Sequence, residues 1–266
     1  MAENRFKKLL DERQFPTQVW MGSNSALFAE LFGSVGFDSV VIDLQHGVSD
    51  YQTMYGQFTA LSGTGATPMV RVPSADPAGV MKALDAGCYG VVCPMIDTAE
   101  DTADFVAACR YPPAGIRSMG PVRAGLTSGY IGAANNVAMT IVQIETVAGY
   151  ENVEEIAAVP GLDAIYPGPA DLAFAFGEIP SMDFSDPVAE KRHRRIIEVA
   201  HDHGVKVGYP AQVGLPGGEA SAERLLDWGV DWFSVGPEWV WMSAAAHKAR
   251  QSCVDLAKSR RAVGDG

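Results

Sequence analysis

Two carboxylates stand where a hard metal ion could be held. Glu145 closes the otherwise apolar run MTIVQIE (139–145), and Asp171 follows the next apolar run in PGPAD. Carboxylates delivered by neighbouring strands can bind one divalent cation and leave coordination positions for water or substrate oxygens. Oxygen-only ligation favours Mg²⁺, Mn²⁺ or Co²⁺ over structural Zn²⁺. The competing structural reading pairs Glu145 with a neighbouring base and makes Asp171 the cap of a helix starting at Leu172. A buried carboxylate with no partner would be expensive, which favours the metal. The segment Gly168-Pro169-Ala170-Asp171 also opens a helix, so its backbone N–H groups could receive a substrate carboxylate.

Two further side chains complete the chemistry. Arg71 ends TPMVRV (67–72), where a charge in a packed strand is costly unless it has a task. A planar, permanently charged donor is suited to an oxyanion. His46 follows Asp43 and Gln45 at the end of DSVVIDL (38–44), where an imidazole can act as general base near neutral pH. A satisfied structural histidine is the alternative for His46 taken alone. His193, His201, His203 and His247 lie in charged, helical contexts and read as surface residues. Catalysis through a Schiff base in a barrel needs a lysine at a strand's C-terminal end. Lys206 begins its strand and Lys82 sits inside a helix, so imine chemistry is not expected.

These residues share a rim if the chain forms a barrel. Eight β-rich runs follow one another: TQVWMG (17–22), DSVVIDL (38–44), TPMVRV (67–72), GVVCPMI (90–96), MTIVQIE (139–145), DAIYPG (163–168), VKVGYP (205–210) and DWFSVG (231–236). Most are continuous apolar stretches, as parallel strands covered on both faces require. Helix signals lie between them. Asp76-Pro77 places an N-cap and an N1 proline before GVMKALDAG, and other helical stretches also end at Gly. The pattern predicts a single-domain (β/α)₈ TIM barrel over 1–266, although a doubly wound open sheet alternates in the same way. In a barrel, the C-terminal strand ends carry the chemistry. The glycine-rich stretch from Arg110 to Ala138 reads as a mobile loop near the site.

Composition removes other classes. A formal charge of −12 and pI near 4.8 argue against nucleic-acid or anionic-membrane partners. Cys88, Cys93, Cys109 and Cys253 form no CxxC pair, which suits reduced thiols. No apolar run approaches the ~20 residues of a membrane helix, and the charged N-terminal stretch lacks a signal peptide's apolar core. A cytoplasmic protein is expected.

Taken together, the motifs resemble those of the HpcH/HpaI class II aldolases, which include 4-hydroxy-2-oxoheptanedioate and 2-keto-3-deoxy-sugar-acid aldolases. The resemblance runs from about Phe6 to about Met242. It rests on GFDSVVIDLQHG, VRVPSADP, ALDAGCYGVVCPMIDTAE, RYPPAGIRSMG, VQIETVAGYENVEEIAAVPGLDAIYPGPADL and GVDWFSVG. It implies a general base at His46, an enolate-stabilising Arg71 and, at Asp85, an aspartate that raises the histidine's basicity. It implies metal ligands at Glu145 and Asp171, substrate contacts at Gln143 and at the backbone of Ala170, and a match for the first-strand tryptophan at Trp20. The chain departs from the family at Gln45, where Glu is usual. It departs again after GIRSMG, where it reads PVRAGLTSGY. Both changes leave the pyruvate half intact and bear on the aldehyde.

The implied reaction is reversible cleavage of a 4-hydroxy-2-oxo acid to pyruvate, or a close 2-oxo acid, and an aldehyde, through an enolate stabilised by the divalent metal. The alternatives are another pyruvate-enolate reaction, such as oxaloacetate decarboxylation, and a non-catalytic 2-oxo-acid-binding barrel. The segment after Gly236 predicts a C-terminal helix, about 237–260, with Trp239, Val240 and Trp241 together. The resemblance implies its exchange between subunits of a homo-hexamer, a trimer of dimers. Packing of this helix on its own barrel is the alternative.

Overall fold

Each of the eight apolar runs forms a strand. The computed structural model describes residues 2–180, 182 and 184–264. The strands are β1 (Thr17–Met21), β2 (Ser39–Asp43), β3 (Thr67–Arg71), β4 (Gly90–Cys93), β5 (Met139–Val142), β6 (Ala164–Ile165), β7 (Lys206–Pro210) and β8 (Trp232–Val235). All pair in parallel in sequence order, and β8 closes on β1, giving a (β/α)₈ barrel. The doubly wound alternative is thereby excluded. Strand β6 has two residues, but its ladder continues where Tyr166 N–H donates to Val142 at 2.8 Å and Gly168 N–H to Ile144 at 3.1 Å.

Alternate residues of the strands fill the barrel interior. Trp20, Val41, Met69, Val92, Ile141 and Trp232 form one buried cluster, closed from the N-terminal side by Phe6 and Leu10 of the helix Arg5–Asp11. Trp232 needs Gly208 beside it, because a Cβ there would lie 2.1 Å from the indole ring. The outward-facing residues pack under the helices as a second, larger core. Asp76 accepts from Ala78 and Gly79 N–H with Pro77 in the first turn, so the helix Pro77–Asp85 begins where the Asp-Pro signal places it.

Two expectations change. The stretch from Arg110 to Ala138 is no mobile loop at the rim. It carries a short 3₁₀ turn (Ala124–Leu126) and a helix (Tyr130–Val137), and it packs on the outer layer against Tyr89. Its glycines conceal an anchor that loop composition does not reveal. The Arg117 side chain is fully buried, bonds the Tyr130 hydroxyl and pairs with Asp85 at 2.8 Å. His193 is likewise no surface residue. It is 3% exposed and its Nδ1 lies 2.8 Å from the Tyr209 hydroxyl, because the amphipathic helix Pro187–Asp202 turns this position onto β7. The expected C-terminal helix is present as Glu238–Gly264, and among the described residues it packs on its own barrel through its first turn. Glu238 accepts from Gly22 and Ser23 N–H at 2.8 and 2.7 Å, and Trp241 stacks on Phe37. From Met242 to Arg260 nearly every residue is exposed.

The buried His193 has a measurable consequence. Burial pushes its imidazole down to about 4, with neighbouring Arg192 adding to the effect. The folded state therefore binds fewer protons than the unfolded chain between about pH 6.5 and 4. Its stabilising contribution is complete above the unfolded value and is lost as pH falls through that window, up to roughly 3 kcal/mol. His193→Gln should flatten this part of the stability curve. Urea midpoints measured from pH 7 to 4.5 that fall equally in both proteins would contradict the assignment.

Candidate active site

The C-terminal ends of β2 and β3 meet as an ion pair. Asp43 and Arg71 are register partners at the last residues of their strands. Arg71 Nε donates to Asp43 Oδ1 at 2.9 Å and Nη2 to Oδ2 at 2.5 Å, with both side chains about nine-tenths buried. The two parallel bonds hold the guanidinium plane, and its Cζ lies 4.7 Å over the Trp20 ring. Nη1 reaches Gln143 Oε1 at 3.4 Å. One N–H on each terminal nitrogen remains for the cleft.

Asp43 also shapes the turn that follows it. Its Oδ1 accepts from Gln45 N–H at 3.0 Å and His46 N–H at 3.2 Å. This folds the backbone back and presents the His46 side chain, exposed, at the cleft. Asp43 was not singled out as a site residue. A charge pair on two adjacent strand ends is the signal that could have found it, since buried Arg71 needed a carboxylate.

Across the cleft stand the two carboxylates. Glu145 is 3% exposed, and its Oε2 accepts from Met95 N–H at 3.0 Å. Met95 has a φ of 56°, a conformation uncommon for a side-chain-bearing residue, at the loop that cradles the carboxylate. Gly168 packs so closely that a Cβ would meet Glu145 Oε1 at 2.5 Å. Burial, with Asp171 nearby, pushes the Glu145 carboxyl up to about 7 against the opposing pull of the Met95 N–H and Arg71. Asp171 lies inside the first turn of the helix Pro169–Ala175, whose N-cap is Gly168. The helix therefore starts three residues earlier than Leu172, and Asp171 is not its cap. Among the described residues neither carboxylate has an ion-pair partner. An all-oxygen pair of this kind is a donor set that fits a hard divalent ion. No cluster of three or more His, Cys, Asp or Glu forms a fuller cage among the described residues.

Trp20, His46, Arg71, Gln143, Glu145, Gly168, Ala170 and Asp171 all line one cleft of about 290 Å³. Asp85 does not. It ends the helix Pro77–Asp85 on the outer layer, held by Arg117, so within one chain it is not brought to His46. Tyr166 and Ser234 share a hydrogen bond in the cleft wall, and Met182 and Gln212 also line it. The sequence does not single out these four, since none is a charged side chain closing an apolar run. Among the described residues no lysine lines the cleft; Lys206 starts β7 at the other end of the barrel and pairs with Asp231 at 3.0 Å. A roomier hollow, about 500 Å³, lies beside Tyr55 and Arg123, but no carboxylate lines it.

A closed parallel barrel whose strand ends gather an acid pair, a held guanidinium and an imidazole defines an enzyme of the TIM-barrel class. Residues 17–237 match the family described as HpcH/HpaI aldolase/citrate lyase, and the chain belongs to that family. It is 36% identical over 239 residues to the 5-keto-4-deoxy-D-glucarate aldolase of Klebsiella pneumoniae, covering 88% of this chain and 91% of that one. Among solved structures, an HpcH/HpaI aldolase/citrate lyase family protein from Burkholderia cenocepacia superposes with a TM-score of 0.85. The two are 30% identical over 94% of this chain and 99% of that one. The citrate synthase SbnG superposes with a TM-score of 0.80 at 26% identity, covering 94% and 99%. The protein is a carbon–carbon lyase of the class II aldolase type.

Proposed function

We propose that the cleft reversibly cleaves a 4-hydroxy-2-oxo acid, of the keto-deoxy-sugar-acid kind, into pyruvate or a close 2-oxo acid and an aldehyde. The observation that carries this reading is the pair of carboxylates without an ion-pair partner among the described residues, Glu145 and Asp171, lining one cleft with a guanidinium held rigid by Asp43. Glu145 and Asp171 would hold a divalent cation, Mg²⁺, Mn²⁺ or Co²⁺, which when bound supplies Lewis-acid polarisation of the 2-oxo group. His46 takes the proton of the C4 hydroxyl as the C3–C4 bond breaks. Arg71 donates its free N–H groups to the oxygen on which the enolate charge develops. Gln143 fixes the third side of Arg71, and the backbone at Gly168 and Ala170 borders the 2-oxo acid beside the acid pair. Trp20 gives the guanidinium a flat apolar floor. Among the described residues no lysine lines the cleft, which supports a metal-held enolate over an imine.

Turnover of a panel of 4-hydroxy-2-oxo acids with each cation should release pyruvate and aldehyde in equal amounts. Pyruvate without aldehyde would favour a decarboxylation. Binding of 2-oxo acids with no turnover of any panel member would make the barrel a binder.

We further propose that the chain works as a homo-hexamer, a trimer of dimers, in the cytoplasm, a reducing compartment suited to its free cysteines. The helix Glu238–Gly264 leaves its own barrel after one turn, with Trp239 59% exposed, and a neighbouring copy would cover it. Asp85 can serve His46 only from such a neighbour, since its own chain ties it to the outer layer. Sedimentation should give a hexameric mass for the intact chain and a smaller species once residues 243–266 are deleted. A monomeric mass for the intact chain at micromolar concentration would refute the exchange.

A further inference from the structure

We propose that Asp97, which does not line the cleft, is a positioning residue for the cation site. Through Thr146 and Asn152 it holds the turn that aims the Met95 N–H at Glu145. The proposal rests on the reading of Glu145 as a cation ligand and concerns what keeps that ligand in place.

Glu145 is bonded by a donor in an unfavourable backbone conformation. Met95 adopts a φ of 56° at the residue whose N–H meets Glu145 Oε2 at 3.0 Å. Such a conformation persists only where its surroundings over-determine it. Here the surroundings join the turn after β4 to the turn after β5. Ile96 N–H donates to the Gln143 carbonyl at 3.3 Å. The Thr146 hydroxyl donates to the Asp97 carboxylate, and Asn152 Nδ2 donates to the Asp97 carbonyl at 2.8 Å. Gly149 packs so closely that a Cβ would lie 2.4 Å from the Ile96 carbonyl oxygen.

The bond between Thr146 and Asp97 closes a ring. Thr146 follows Glu145 in the chain and Asp97 follows Ile96, so the ring runs through Met95, Glu145, Thr146 and Asp97. The Thr146 hydroxyl is itself oriented. As N-cap of the helix Val147–Glu151 it accepts from Gly149 N–H at 2.9 Å, which leaves its own proton for the Asp97 carboxylate. Beyond Asp97 the chain is fixed again by the capping box of Thr98 and Asp101, which starts the helix Ala99–Ala108. With the ring intact, Met95 restrains Glu145 at Oε2 and Gly168 limits it at Oε1. A carboxylate already ordered in this way binds a cation without the cost of being ordered at that moment. With the ring open, the turn is free to leave its φ of 56° and withdraw the N–H. The loss then falls on cation affinity and not on the chemistry of the loaded site.

Mn²⁺ alone is the probe, with its free fraction read by electron paramagnetic resonance in the full-length enzyme. Asp97→Ala and the near-isosteric Thr146→Val should each raise the Mn²⁺ Kd by roughly tenfold to a hundredfold. Pyruvate methyl exchange at saturating Mn²⁺ should recover to near wild type in both. Combining the two substitutions should add little, since each breaks the same bond. Asp97→Asn and Thr146→Ser, which keep the acceptor and the donor, should bind Mn²⁺ nearly as wild type does. A lowered Tm with Kd unchanged in Asp97→Ala and Thr146→Val would mean that Asp97 only ties two turns together, and overturns the proposal. Asp97→Asn weakening Mn²⁺ as much as Asp97→Ala also overturns it, because the negative charge and not the bond would then matter. Glu145→Gln separates the two readings. Binding lost in Glu145→Gln but intact in both ring variants overturns the positioning role alone. Binding indifferent to Glu145→Gln overturns the cation reading of Glu145 and this proposal with it.

Discussion

Arg71→Ala is expected to abolish aldol cleavage and pyruvate methyl exchange together. The charge that Arg71 meets develops in both reactions, because both pass through the enolate, and only one of them needs an aldehyde. Loss of one such donor lowers the rate by roughly 10²–10³-fold. The same substitution strands Asp43, 6% exposed, without its partner, and removing one member of a buried pair costs about 3–5 kcal/mol of stability. Arg71→Lys is therefore the companion variant. It keeps a charge beside Asp43 but cannot reproduce the two parallel bonds. Its melting temperature should stay near wild type while both activities remain depressed. His46→Ala should lower cleavage by roughly 10²–10⁴-fold without the stability loss, since its imidazole is exposed. Exchange intact in Arg71→Ala would mean that the arginine only anchors Asp43.

Chelation is expected to remove activity entirely, and Mg²⁺, Mn²⁺ or Co²⁺ to restore it. Two protein carboxylates make an exchangeable site, not a closed cage. The readout need not be turnover. A ligand that binds only the folded state at a hundred times its Kd adds about 2.7 kcal/mol of stability. In a chain of this length that is a rise of several degrees in Tm. The rise should be present in wild type and absent in Glu145→Gln and Asp171→Asn. Its pH dependence has a fixed sign. In the cation-free cleft, burial pushes Glu145 up to about 7, so below that pH a cation must displace a proton. Apparent affinity should fall about tenfold for each pH unit below 7 and level off above it. Full activity in excess chelator, or a thermal shift that persists in both variants, would remove the acid pair from this role.

How much of this was legible beforehand depends on whether a feature is local. The eight strands were, because a strand buried on both faces must be continuously apolar over four to seven residues, and β2 is buried at every position. The Asp76-Pro77 helix start was too, since an N-cap and an N1 proline act within one turn. Glu145, Asp171, Arg71 and His46 were legible as strand-end residues once the eight-fold repeat placed all such ends on one rim. A polar side chain closing an apolar run has few purely structural reasons to be there.

The tertiary structure decided everything that depends on a partner distant in sequence. Asp43 and Arg71 are 28 residues apart, and the parallel register alone makes them a bidentate pair. His193 sits in a helix of ordinary surface composition, and only the packing of that helix on β7 buries it against Tyr209. The glycines between Arg110 and Ala138 suggest mobility. The order comes instead from Arg117, which closes a contact with Asp85 across 32 residues. Asp85, so held, does not line the cleft that His46 lines. By itself, the sequence determined the eight β/α units and the roster of reactive groups at their strand ends, since both follow from short-range patterning; closure into a barrel was decided by the pairing of β8 with β1. Which groups pair and which are left facing the cleft were decided by folding, because charges and buried donors are settled by distance in space.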